Sequence, residues 1–352
     1  MIELKPILDV DEVITYNGRI PIQLDIPKGS TLSAFDIERI KTLSSWDLDP
    51  NKYTDRTEFR GANIDRSPPH TKQGIELAGL YLSGIGYKDM SWHTGHITVT
   101  KGQESLLLPP NNTNFMNTMS QDAFTTFYYE NGTRVHSRPE YRAMGAYEPR
   151  ELETKLLNTG EVSKMSFDHL AVPHVEAYGR FLHPDLSNEN GYFGFIVFPV
   201  PESRKSRFGK EVVNFFKARE SEHGRVAVND YYGVVGPHIN KIILALAEMH
   251  HKGIAHLQLH VGNLYSIGGF PYIMDWQTKR NLDNDQDNEL NRQVDVRLFM
   301  QSEASLLETV VGDSKIPINI IRESNLVQAV KWYKKVRFEL FGESMDLEII
   351  VE

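Results

Sequence analysis

Cysteine is absent from the 352 residues, so disulfides, thiolate zinc sites and a cysteine nucleophile are all excluded. Long apolar runs are missing too. No segment approaches the ~20 residues that a membrane-spanning helix needs, and Met1-Ile2-Glu3-Leu4-Lys5 lacks the basic stretch and apolar core of a secretory signal. These absences lead us to expect a soluble, cytoplasmic protein with no membrane span. An excess of positive charge is also lacking: the formal net charge is −9, which argues against broad nucleic-acid binding. A local basic cluster, Arg204-Lys205-Ser206-Arg207, could meet an anion but reads more simply as a solvated loop. There is no internal repeat and no strong Gly-rich phosphate loop, and Gly84-x-Gly86 alone is a low-specificity signal. Two Asn-x-Thr triplets, at Asn111 and Asn131, arise easily by chance and carry no weight.

What is present suits a chain of two lobes or two modest domains: 40% of the residues are apolar, enough for each to bury a core. Changes of hydrophobic period divide the chain into three parts. Residues 1–75 are polar, punctuated by Asp49-Pro50 and Ser67-Pro68-Pro69, with one helix expected near Ser33 to Leu43, and read as an N-terminal extension. Residues 76–200 are strand-rich, with strands expected at Gly79 to Gly86, His96 to Thr100, Phe124 to Tyr129, Leu170 to Tyr178 and Tyr192 to Phe198. One helix interrupts them, from Pro149 through Leu152, Leu156 and Leu157 to about Gly160. Residues 201–352 are more helical. Ile239, Ile242, Ile243, Leu246 and Met249 recur at helical steps with a stop at Lys252-Gly253, and further helices are expected around Leu290 to Val311 and Asn325 to Phe341. The expected class is therefore α+β, a β-rich half followed by a helical half.

The chemistry is concentrated in Ile254-Ala255-His256-Leu257-Gln258-Leu259-His260-Val261-Gly262-Asn263-Leu264-Tyr265, followed by a Gly268-Gly269 turn and Tyr272-Ile273-Met274-Asp275-Trp276. The pattern predicts a helix, a polar loop, a short strand, a tight turn and a second short strand ending in a carboxylate. Such a hairpin brings Asn263 and Asp275 together, and an amide oxygen beside a carboxylate is the hard oxygen set that magnesium prefers. The bland alternative has Asn263 capping a turn, Asp275 capping a helix and the histidines satisfied in a core.

This run resembles the catalytic loop and metal-binding strand of the protein-kinase-like fold, above all its aminoglycoside phosphotransferase and choline kinase branch. The matches are His256, Leu259, His260, Gly262, Asn263, Asp275 and Trp276, with Asp295 resembling a later aspartate that holds the loop. The resemblance covers roughly residues 234 to 300. It implies a bilobal kinase-like fold that binds ATP with magnesium, Asn263 and Asp275 as metal ligands, His260 near the terminal phosphate and His256 structural. One position departs: where the family keeps the aspartate that accepts the acceptor's proton, five residues before Asn263, this chain has Gln258. Glutamine can orient a hydroxyl but takes no proton at neutral pH.

The selenoprotein O family of kinase-like adenylyl transferases also lacks that aspartate. Leu80 to Gly86 faintly resembles the strand in which that family places its nucleotide lysine, which would fall at Ser83. Other candidate cations are Lys88, Lys101 and Arg142, and Glu151 or Glu153 resembles the helix glutamate that pairs with a strand lysine. Phe193 to Pro201 resembles the hinge, with Phe198 to Val200 expected to meet adenine through their backbone; a plain core strand is the alternative. The implied function is an atypical Mg-ATP-dependent phosphotransferase acting on a small-molecule or protein acceptor. A nucleotide-binding pseudokinase and a kinase-fold nucleotidyl transferase are the alternatives.

Overall fold

The structure is a computed structural model and describes residues 21–44, 61–72, 75–85, 127–130, 133–136, 146–182, 187–201, 207–223, 226–267, 270–282, 288–311 and 318–344. They fall into two compact units, one from Met1–Lys164 and Pro173–Arg204, the other from Met165–Val172 and Lys205–Glu352. The expected α+β class is present, with a sheet in the first unit and mostly helices in the second.

In the first unit, β1 (Ile22–Asp25), β2 (Gly61–Lys72), β3 (Ile75–Ser83), β4 (Ala177–Phe181) and β5 (Gly194–Val200) form one antiparallel sheet in the order β1-β4-β5-β3-β2. The part read as an N-terminal extension thus supplies two of its five strands. Its prolines concealed β2, because Pro68 and Pro69 fall in a register shift between Asp65 and His70 where ladder bonds are interrupted anyway. The expected helix near residue 33 is α1 (Ala34–Ser44), opened by Ser33, whose hydroxyl accepts from Asp36 N at 3.1 Å. Glycine allows the closest strand contact: a Cβ on Gly194 would stand 2.2 Å from Gly179 O. Ile64, Leu80, Leu82, Phe181, Phe195 and Val197 fill the core over which α1 lays Ile40.

The helix expected from Pro149 is α2 (Pro149–Val162), which buries Glu151, Leu152, Lys155, Leu156, Thr159 and Val162 on one stripe. The expected strand from Leu170 begins instead at Ala177. Ala171 belongs to the second unit, where it donates to Pro271 O and accepts from Ile273 N, and Pro173 has no N–H with which to continue a ladder. A buried ion pair links β2 to the approach to β4: Arg66 Nη1 lies 2.7 Å from Glu176 Oε1, and Glu176 also accepts from Ser30 and Thr31. Burial alone would raise the Glu176 pKa, but bonds from His174, Thr31 and Ser30 hold it far below the usual range.

The second unit contains α3 (Phe208–His223), α4 (Val228–His251), β6 (Ile254–Ala255), β7 (Leu264–Ile267), β8 (Phe270–Ile273), β9 (Arg280–Asn281), α5 (Asn288–Val311) and α6 (Ile318–Phe341). β6 pairs with β9 and β7 with β8, both antiparallel. The expected stop of α4 is made by Gly253 at φ 76°, after Lys252 closes the helix by donating to Glu248 O. Ile242, Ile243 and Leu246 of α4, Phe299 and Leu307 of α5 and Tyr333 and Val336 of α6 are buried in the helical core.

That core encloses Glu303 on α5, fully buried beside Tyr231 and Tyr232. Burial pushes its pKa up to about 7, the two hydroxyls limiting the rise. A carboxyl whose folded pKa is raised stabilises the fold at low pH, and that stability is lost as pH rises from the unfolded value near 4.3 towards 7. The loss amounts to about 3 kcal/mol. Glu303→Gln is therefore expected to flatten the fall in denaturant stability between about pH 4 and 7; an unchanged slope would show that Glu303 is not its source.

Candidate active site

The loop between β6 and β7 is shaped by one carboxylate. Asp295, fully buried on α5, accepts from His256 N at 2.7 Å and from Leu257 N at 2.6 Å. Leu257 has φ 63°, a left-handed conformation that a bulky side chain avoids at a cost of roughly 1–2 kcal/mol. The two charge-assisted bonds offset that strain. A third partner fixes the carboxylate, since His250 Nε2 approaches Asp295 Oδ2 at 3.1 Å and His250 Nδ1 meets the Tyr333 hydroxyl at 2.6 Å. Burial pushes His250 below the ordinary histidine range despite the pull of Asp295, so the neutral ring donates to Asp295 and accepts from Tyr333. This is the holding role that the resemblance implied for Asp295.

His256 is structural in the same sense. It is fully buried, its Nε2 donates to Met274 O at 2.7 Å and its Nδ1 accepts from Gln258 N at 3.2 Å. Its carbonyl accepts from Thr278 Oγ1 at 2.6 Å, and Trp276 packs edge-on against the ring. The loop is thereby tied to the far end of the β7–β8 hairpin. Ser302 adds a bond from α5, accepting from Val261 N at 3.0 Å.

On this support stand the candidate chemical groups. Residues 261–263 form a single 3-10 turn, in which Asn263 N donates to His260 O and Asn263 Nδ2 to Gln258 O at 3.0 Å. The amide is thus oriented with its oxygen free of the loop backbone. Asp275 follows β8 with φ 63° and ψ 55° at the start of another 3-10 turn, and its carboxylate makes no capping bond. The left-handed backbone is tolerable for aspartate, and such conformations cluster at functional sites. The two oxygens converge on a cation: Arg207 Nη1 lies 3.3 Å from Asn263 Oδ1 and 3.7 Å from Asp275 Oδ2. An amide and a carboxylate aimed at one positive centre are donors of the class that holds magnesium.

Gln258 is half-buried on the same loop, and its side-chain amide makes no hydrogen bond to another described residue. His260 is exposed, with Nδ1 accepting from Gly262 N at 3.1 Å. Arg207 is the residue that sequence reasoning missed. The cluster 204–207 was read as a solvated loop; its last member instead reaches 2.7 Å from Gly262 O, and residues 204–206 lie outside the described set.

The remaining candidates belong to the first unit. Ser83 ends β3 and its hydroxyl lies 2.6 Å from the Tyr147 hydroxyl, which also accepts from Lys155 Nζ at 2.7 Å. Lys155, buried on α2, stands 4.5 Å from the centre of the Tyr147 ring and 5.8 Å from that of Phe198. So a lysine does accompany Ser83, carried by the helix and not by the strand. Its signal was legible: Glu151 and Lys155, four apart, share the stripe of Leu152 and Leu156. Lys88, Lys101 and Arg142 lie outside the described residues. Phe198 and Val200 are buried in β5, where β3 pairs with them but the β4 ladder stops at Val197.

No family model and no curated protein matches this chain. Among solved structures it is similar to the Toxoplasma gondii specific rhoptry antigen kinase domain, with 12% identity and a TM-score of 0.33 over 55% of this chain and 70% of that one. A likeness of that size decides neither fold nor activity.

The loop's dependence on one carboxylate is measurable. Asp295→Ala leaves two buried amides and the His250 ring short of a partner and is expected to lower unfolding stability by about 3–5 kcal/mol. Amide exchange at His256 and Leu257 should accelerate with it. A loss under about 1 kcal/mol would mean that the loop holds its shape without Asp295.

Proposed function

We propose that this chain is a nucleotide-binding, kinase-like protein whose phosphoryl transfer is restrained by Gln258. The observation that carries the reading is the convergence of Asn263 Oδ1 and Asp275 Oδ2 on one cationic centre, set on a loop whose backbone is clamped from beneath by Asp295. Neither oxygen is needed to cap its own turn, which removes the simplest structural explanation for the pair.

Magnesium, when bound, would neutralise phosphate charge, and Asn263 and Asp275 are the residues that would hold it. The chain's own contributions are distinct. Asn263 is oriented by its bond to Gln258 O, and Gln258 carries an amide at the position where the resemblance implies a proton acceptor. The first unit carries candidates of its own, the backbone of Phe198 to Val200, where the resemblance implies adenine contact, and Lys155 beside Ser83. The acceptor is a small molecule or a protein side chain.

ATP is expected to raise the melting temperature, by the equivalent of about 2.7 kcal/mol at a hundred times its Kd. Any additional shift brought by magnesium should vanish in Asp275→Ala. Survival of the full magnesium-dependent increment in that variant would remove Asp275 from the site.

A missing general base lowers rate by about 10²–10⁴, or roughly 3–5 kcal/mol of barrier. Gln258→Asp is accordingly expected to raise ATP hydrolysis, or γ-phosphate transfer to an acceptor, by at least about tenfold. With ATP bound and no gain in either assay, the protein is better described as a pseudokinase whose site serves binding alone.

A further inference from the structure

The centre on which Asn263 and Asp275 converge belongs to the chain itself. Arg207 Nη1 donates to Gly262 O at 2.7 Å and to Asn263 Oδ1 at 3.3 Å, and stands 3.7 Å from Asp275 Oδ2. Its position is not that of a loose surface side chain. Arg207 directly precedes α3, whose next residue, Phe208, is buried with its ring 5.5 Å from that of His238. Gly209 follows and lies so close to the loop that a Cβ there would stand 3.0 Å from Val261 Cγ2. The start of α3 is therefore seated on the 3-10 turn that carries Asn263. The guanidinium also lies over the Tyr265 ring, 6.0 Å from its centre.

A divalent ion held by the same two oxygens must approach each to about 2.0–2.1 Å, which places it beside the guanidinium. Like charges in such proximity repel, so guanidinium and ion compete for one pair of ligands. Of the two, the guanidinium is covalently present at all times. It is also a phosphate ligand in its own right, forming charge-assisted bonds to phosphate oxygens without an intervening metal.

We propose that Arg207 is the resident cation of this site, binding the phosphates of a nucleoside triphosphate directly, so that nucleotide binding needs no divalent metal. The proposal rests on the nucleotide-binding reading and changes its chemistry: Asn263 and Asp275 position an arginine in the first instance and hold a metal only once that arginine is displaced.

The test is calorimetric titration of ATP into wild type, Arg207→Ala and Arg207→Lys, each in EDTA and in magnesium, with melting temperature and near-UV circular dichroism of the free proteins to verify folding. Wild type is expected to bind ATP in EDTA within about threefold of its affinity in magnesium. Arg207→Ala should lose at least about tenfold in EDTA and recover it in magnesium, because Asn263 and Asp275 are then open to the ion. Arg207→Lys, which keeps the charge but not the planar fork, should fall between the two and covers the case in which the alanine variant folds poorly. Wild-type binding seen only with magnesium and unaltered by either substitution overturns the proposal while leaving the nucleotide reading intact. Absence of ATP binding by wild type in both buffers overturns both.

Discussion

The second unit is organised around the capture of two backbone amides by a buried carboxylate. Asp295 fixes His256 and Leu257 and so absorbs the left-handed turn at Leu257. Beside that turn His256 bonds Met274 O, and this registers the loop against the β7–β8 hairpin. Asn263 and Asp275 are brought together as a consequence. Their separation in sequence is bridged by bonds anchored in the buried side chains of Asp295 and His256.

The site assembled on this frame orients two oxygen donors on a cation, and Gln258 on the same loop carries an amide, which takes no proton at neutral pH. Binding and chemistry make different demands: the first needs charge placed in a fixed geometry, the second needs a group able to change protonation state during the reaction. On the reading proposed above, Arg207 would meet the first demand within the chain and Gln258 would leave the second unmet.

The first unit shows the same displacement of charge. Ser83 occupies the strand position where the resemblance calls for a lysine, and the ammonium found beside it comes from Lys155 on α2. Burying a lone ammonium is unfavourable unless it is hydrogen-bonded, and the hydroxyl of Tyr147 with its ring meets part of that need. In the first unit a helix residue, and in the second the residue just before a helix, supplies a cation where the sequence pattern pointed to a strand or to a metal.

How much of this was legible depended on whether the determining interaction was local. The helices Ala34–Ser44, Pro149–Val162 and Asn288–Val311 follow from apolar spacing and from end signals such as Pro149, all properties of a few neighbouring residues. The loop–hairpin run from Ile254 to Trp276 was legible for the same reason, and with it the pairing of Asn263 with Asp275. Non-local pairing hid the rest. Strand Gly61–Lys72 is concealed by Ser67-Pro68-Pro69, because only its partner Ile75–Ser83 reveals that the prolines sit in a register shift. Leu170 and Ala171 have strand composition, yet Ala171 pairs with Pro271 and Ile273, distant in the chain. Arg207 and Lys155 gave only weak signals, a basic cluster and a charged pair on an apolar stripe. The sequence by itself determined which residues form helices and which oxygens meet at the end of the hairpin. Only the tertiary structure decided which cation those oxygens meet, since a guanidinium 56 positions from Asn263 reaches it through the packing of a helix start against a turn.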